Sequence, residues 1–468
     1  MKNFENIQEY DALGQKKLLD DRQVTSLELT EYYINQINKK NSELNAVVHT
    51  MFDDALSKVK QNGLGEGPLS GLPFLIKDLN PIAGYKATSG SRLLEDFVPG
   101  INDETVERFR RAGLNFLGKT NTSEFGFLPT TEPELFGPTR NPWDPRLSAG
   151  GSSGGAGAAV ASGMIPFAHA SDGGGSIRIP ASACGLFGFK PSRGQLPYSM
   201  YMNHLGVNHA ITRSVRDSAA LLDALHGEVP GELYPTFQSN GFLNATKEQP
   251  GKLRIAVTPD FDGHVSIDDE TKKAFQQSVQ LIRDLGHEVV EASPQFDFRG
   301  VADNFINVWV AGGAVVIKHL GKVNGVQPGP DNLEPLSYNV YQQGSELSAL
   351  EYEEARVLLQ MESKKLLHFH DQYDILLTPV LNKLPAPLGS FKQTSPQAMF
   401  KNFTDYCSFT PISNVTGQPS MSMPLYWTDK GLPIGAHFTG RLGEDELLFK
   451  LASQIEREKP WFTKYKEV

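Results

Sequence analysis

Short apolar runs that end in a polar or glycine turn recur along this chain, separated by segments of helical spacing. PFLIKD (73–78), LNFLGKTN (114–121) and MIPFAHASD (164–172) are of this kind in the first half. KLRIAVTPD (252–260), HEVVEAS (287–293), YDILLTPV (373–380), SMSMPLYW (420–427) and LPIGAHFTG (432–440) continue it. Between them ETVERFRRAG, DDETKKAFQQSVQLIRDLG and most of Gln342 to His370 read as helices, the second stopped by Gly286. Such alternation constrains the fold to the α/β class, a sheet with helices on both faces.

Residues 1–60 read as a helical leader. Thr25 and Glu28 match a capping box, and Val24 with Leu29 match the hydrophobic staple. Leu27, Tyr33, Ile34 and Ile37 then fall on or near one face. A signature core over 70–225 and a C-terminal α/β part over 251–468 complete a single domain of 1–468. The turn-rich stretch Glu228 to Pro250 is the internal connection. No fixed-period repeat interrupts this plan. The start, MKNFENIQEYDALG, lacks the apolar core of a signal peptide, and no run approaches the ~18 apolar residues of a membrane span. Cys184 and Cys407 sit among small or apolar residues and read as buried free thiols. These points place the expected location in the cytoplasm. The net charge of -10 argues against nucleic acid as the main partner.

One segment, SAGGSSGGAGAAVASGMIPFAHASDGGGSIRIPASACG (148–185), crowds glycines and serines. A phosphate loop fails because Ala156 follows Gly155 where Lys-Ser/Thr is needed. A dinucleotide loop fails at Val160, where a third small residue belongs. A nucleophile elbow centred on Ser153 would have to follow a strand, and Pro142 and Pro145 precede it instead. A flexible linker would not run into AAVASGMIPFAHAS. What remains is a pair of serines on separate glycine-rich turns, Ser152 and Ser176, with Lys77 ending an earlier strand. Each alone reads as a cap or a solvated end; together they suit Ser-Lys nucleophilic catalysis without histidine.

With these residues the chain resembles the amidase signature family. The resemblance rests on PFLIKD, GGSSGG (150–155) and SDGGGSIRIPASACGLFGFKP (171–191), and extends through GKTNTSEFG, FGPTRNPW, TRSVRDSAALLD and NVTGQPSMSMP, from about Thr25 to Leu451. It implies an amidase signature fold: a central mixed, twisted β-sheet covered by α-helices on both faces. It also implies a serine hydrolase that cleaves linear or cyclic carboxylic amides through an acyl-enzyme, with no cofactor and no metal. Ser176 would be the nucleophile. Ser152, after a cis Gly151–Ser152 peptide, would relay its proton to Lys77, the base. Burial would lower the lysine pKa and keep the amine neutral. Gly173, Gly174, Gly175 and Ser176 would form the oxyanion hole. Asp172 and Arg178 would support that turn as an ion pair, and Ser153 would hydrogen-bond near Lys77.

Members often carry threonine or isoleucine where this chain has Gly173. The chain reads SIRIP where amidotransferase subunits read SIRQP. That favours a free-standing amidase over the alternative, a subunit passing ammonia from glutamine to a partner. TTEPELFGPTRNPW resembles bacterial broad-specificity amidases and hydrolases of the 6-aminohexanoate-cyclic-dimer type. By that likeness Phe125, Gly126, Phe127, Tyr198, Met200, Tyr201 and Trp309 would line the substrate pocket. Phe127 and Trp309 would favour an apolar or aromatic acyl group. The expected partner is a small-molecule amide, with neither nucleic acid nor membrane, and the oligomeric state is open between monomer and homodimer. His368 and His370 are two apart and share no helix face, and no H-E-x-x-H occurs.

Overall fold

The computed structural model describes residues 4–198, 201–202, 204–392 and 401–467. Its centre is one sheet of eleven strands: β1 (Val47–Thr50), β2 (Pro73–Lys77), β3 (Asn115–Thr120), β4 (Phe167–Asp172), β5 (Phe187–Lys190), β6 (Val207–Thr212), β7 (Arg254–Val257), β8 (Glu288–Glu291), β9 (Ile375–Pro379), β10 (Ser420–Trp427) and β11 (Pro433–Gly440). Their spatial order is β1-β3-β2-β4-β6-β5-β10-β11-β9-β7-β8. The sheet is mixed. β2 runs parallel to both β3 and β4, and β7 to both β8 and β9. The strands from β4 through β6, β5, β10 and β11 to β9 pair antiparallel. β2 to β6 are buried along their whole length, as a sheet covered on both faces requires.

The eight runs read as strands all fall on strands, but β1, β5 and β6 were not among them. β1 (Val47–Thr50) interrupts the helices Ser26–Leu44 and Phe52–Lys60 and adds an antiparallel edge to β3. The helix Ser26–Leu44 begins with the expected capping box of Thr25 and Glu28, and Leu29 is fully buried. A second correction concerns apolar length. Helix Phe298–Asn324 is long and apolar enough to cross a membrane by length and composition alone. In this fold that helix packs against helices Pro335–Glu346 and Ala349–Phe369 and lines a cleft.

The glycines after Ser153 do not give backbone freedom. Gly154–Ala161 is a wholly buried helix of Gly, Ala and Val. A Cβ on Gly155 would lie 2.5 Å from Asn121 N and 2.6 Å from Ala46 O. Glycine here lets a helix approach backbone, which cannot move aside. Gly155→Ala is therefore expected to cost about 1–3 kcal/mol of stability through overpacking, read as a lower urea midpoint. An unchanged midpoint would show that the helix can shift.

Candidate active site

β2 and β4 are parallel neighbours, so their C-terminal ends lie side by side. Lys77 closes β2, and Ser171 and Asp172 close β4. The turn Gly150–Ser153 approaches the same place, and its Gly151–Ser152 peptide is cis. Lys77 Nζ donates to Ser152 Oγ at 2.7 Å and to Ser171 Oγ at 3.1 Å. The lysine is fully buried. Burial pulls its pKa down to about 7, a shift that the charge of Asp172 partly offsets. The backbone N–H of Lys77 donates to His169 Nδ1 at 3.2 Å, and His169 is held neutral, its pKa lowered by burial to about 3.

Ser153 Oγ donates to the carbonyl of Ser171 at 3.2 Å rather than meeting the lysine amine. The group beside Lys77 is Ser171, which the sequence reading passed over. Its only signal was its place next to Asp172 in SDGGGS. β4's end carries it there, whereas Ser153 opens a helix that turns its side chain toward the strand backbone.

The glycine turn after β4 is held from beneath. Asp172 and Arg178 form the expected ion pair, with Arg178 Nε 2.9 Å from Oδ2 and Nη2 2.8 Å from Oδ1, both side chains fully buried. Burial would raise the Asp172 pKa, but the charge and hydrogen bonds of Arg178, with Asn414, hold it well below the usual carboxylate range. Asp172 Oδ1 also accepts from Gly175 N at 2.7 Å and Asn414 Nδ2 at 2.9 Å. Thr410 Oγ1 donates to the Gly174 carbonyl at 2.8 Å. Thr410 and Asn414 were missed, although Asn414 opens the quoted NVTGQP segment.

The bond from Gly175 corrects the expected oxyanion hole. The Gly175 N–H points at Asp172 and donates to its Oδ1. Among the described residues the amides of Gly173, Gly174 and Ser176 have no protein acceptor. Ser176 stands 9% exposed, and its hydroxyl makes no hydrogen bond to a described protein group. Lys77 and Ser152 are thus brought into contact, and Ser176 lines the cleft without a hydrogen bond to Ser152. The link between them is Gly126. A Cβ there would lie 3.2 Å from Ser152 Oγ, and Gly126 lines the same cleft as Ser176.

Of the expected pocket residues, Gly126, Phe127 and Trp309 line this cleft. Phe125 does not. Its backbone is left-handed, φ +50°, and its ring packs behind Phe127 at 5.7 Å. Tyr198 faces a separate cavity with Arg193 and Glu232, and Tyr201 packs on His319 at 5.4 Å. Both sit in the β5–β6 connection (191–206), and neither lines the cleft. Met200 lies outside the described residues. Cys184 and Cys407 are buried and unpaired, and Cys407 lines the cleft. Burial pushes the Cys407 thiol up to about 12, so it stays protonated. Among the described residues the cleft wall has no Asp, Glu, Lys, Arg or His.

Comparisons with known proteins identify the family. A family described as Amidase matches residues 28–449. The chain is 33% identical over 472 residues to the 6-aminohexanoate-cyclic-dimer hydrolase of Paenarthrobacter ureafaciens, covering 96% of this chain and 95% of that one. The structure of 6-aminohexanoate cyclic dimer hydrolase complexed with substrate superposes with TM-score 0.92 at 31% identity, over 98% of each chain. A bacterial aryl acylamidase of the amidase signature family superposes with TM-score 0.89 at 27% identity, over 98% of each chain. With the family matched over nearly the whole length and the fold shared end to end, this chain belongs to the amidase signature family of carbon–nitrogen hydrolases.

Proposed function

We propose that the chain hydrolyses carboxylic amides through an acyl-enzyme on Ser176, with Ser152 as proton relay and Lys77 as base. The observation that carries this is the 2.7 Å contact between a buried lysine amine and Ser152 Oγ. With a pKa near 7 the amine is neutral in a large fraction of molecules at neutral pH. Its lone pair then accepts the Ser152 proton as Ser152 takes the proton of Ser176. The Ser176 oxygen bonds to the substrate carbonyl carbon. The amides of Gly173, Gly174 and Ser176 are free to hold the resulting oxyanion. When the C–N bond breaks, the proton returns from Lys77 through Ser152 to the departing amine. Water, activated by the same relay, then releases the carboxylate and restores Ser176. Apo geometry commonly leaves such contacts long until substrate is bound, which suits the unbonded Ser176 hydroxyl.

A cleft without charged side chains fits the uncharged part of an amide and leaves a charged glutamine backbone without a partner. This supports a small neutral amide as substrate.

The pH profile tests the base. kcat is expected to rise with pH through about 7 and level off above it, because only the neutral amine accepts the proton. Below that point it should fall about tenfold per pH unit. A flat profile between about pH 5.5 and 9, with chemistry rate-limiting, would remove Lys77 from this role.

A further inference from the structure

We propose that Gly173 makes room for an aromatic wall of Trp309 and Phe305 against the oxyanion turn. That wall selects amides with an aromatic ring close to the scissile bond. The inference rests on the amidase reading above and names its substrate class.

Gly173 is not in the left-handed region, so its backbone does not demand glycine. What a side chain would meet is Trp309. A Cβ on Gly173 would lie 3.1 Å from Trp309 Cζ3 and 3.3 Å from Cη2. At Gly174 the corresponding neighbour is Phe305 Cζ, at 3.4 Å. The bare glycines thus carry the two rings directly on the turn that presents Ser176.

The wall is built by helix spacing. Phe305 and Trp309 are four residues apart on Phe298–Asn324 and share one face. Their rings stack at 5.4 Å with planes 24° apart. Phe127 meets the edge of Trp309 at 6.1 Å and 66°. All three line the cleft that contains Ser176, and Phe305 and Trp309 remain partly exposed within it.

A flat ring entering this space gains edge-to-face or offset contacts with each of the three rings, beyond the area it buries. A flexible aliphatic chain of similar area gains only the burial and loses rotamer freedom. The ring can sit on the acyl side, as in phenylacetamide, or on the amine side, as in acetanilide. The shared chemistry is an aromatic ring one or two bonds from the carbonyl–nitrogen unit.

The experiment compares kcat/KM on phenylacetamide, acetanilide and hexanamide for wild type, Trp309→Leu and Trp309→Phe. At least one aromatic amide is expected to exceed hexanamide by about tenfold, and Trp309→Leu to reduce that aromatic-to-hexanamide ratio about tenfold, whatever it does to hexanamide itself. Trp309→Phe should restore most of the loss. The better aromatic amide assigns the ring to its side of the bond. Hexanamide equal to both aromatics, or Trp309→Leu lowering all three alike, would overturn the wall. If wild type cleaves none of them, the amidase reading falls and the wall is judged by binding. Phenylacetamide or acetanilide should then quench indole emission where hexanamide does not, with the effect lost in Trp309→Leu. Absence of that difference would overturn the wall as well.

Discussion

Ser176→Ala is expected to abolish amide hydrolysis, lowering kcat by about 10⁴-fold or more while leaving a folded protein. The hydroxyl makes no hydrogen bond to a described protein group, so its removal breaks no network. Lys77→Met should cost a comparable factor. The lysine lies in a fully buried site and donates to Ser152 and Ser171, and methionine fills the same volume without an amine. The double variant should be no slower than the worse single one, because residues that act as one relay do not add. Initial rates on a neutral aromatic amide, with circular dichroism as the folding control, decide it. Retention of a tenth or more of wild-type kcat in Ser176→Ala would place the nucleophile elsewhere, with Ser152 the next group to examine.

The second large effect is on stability. Asp172→Ala removes the counter-charge of Arg178, which is fully buried. Arg178 would keep acceptors from Thr410 O, Ser413 Oγ and Asn414 Oδ1, at 2.8, 2.7 and 2.6 Å, but no carboxylate. An uncompensated buried charge costs about 3–5 kcal/mol, a large share of the ~5–15 kcal/mol that holds a typical domain folded. The urea midpoint should drop accordingly, and activity should fall with it, since Asp172 also holds the amides of Gly175 and Ile177 at 2.7 and 3.0 Å. A loss below about 1 kcal/mol would mean that the arginine rotates to solvent. The pH dependence has a definite sign. The folded carboxyl titrates below its unfolded value, so its contribution is complete above about pH 4 and is lost as the pH falls.

Much of the local structure was legible in the residue pattern. Thr25 and Glu28 announced a helix start, and the runs ending at Lys77, Thr120 and Asp172 announced strands. The Asp172–Arg178 pair was expected from the family resemblance, and the fold forms it. β1 was not legible. Four residues between two helices carry too short a period to separate strand from helix, and only pairing with β3 makes them extended. The expected oxyanion donors illustrate a different limit. Glycine composition marks a turn but does not say where each amide points, and Gly175 was lost to Asp172.

The sequence alone determined the class of fold, because period and caps are local properties, and its motifs carried the resemblance to the family and singled out Lys77, Ser152 and Ser176 as candidates. Only the tertiary structure decided which side chains meet. Ser171 reaches Lys77 because β2 and β4 are parallel neighbours, although 94 residues separate them. Trp309 reaches Gly173 because a helix inserted far along the chain folds back over the turn. Tyr198 and Phe125 face elsewhere because the backbone at each place turns them into other packing. Contacts of this kind are set by how sheet and helices close on one another, and burial of apolar surface is indifferent to where in the chain that surface lies.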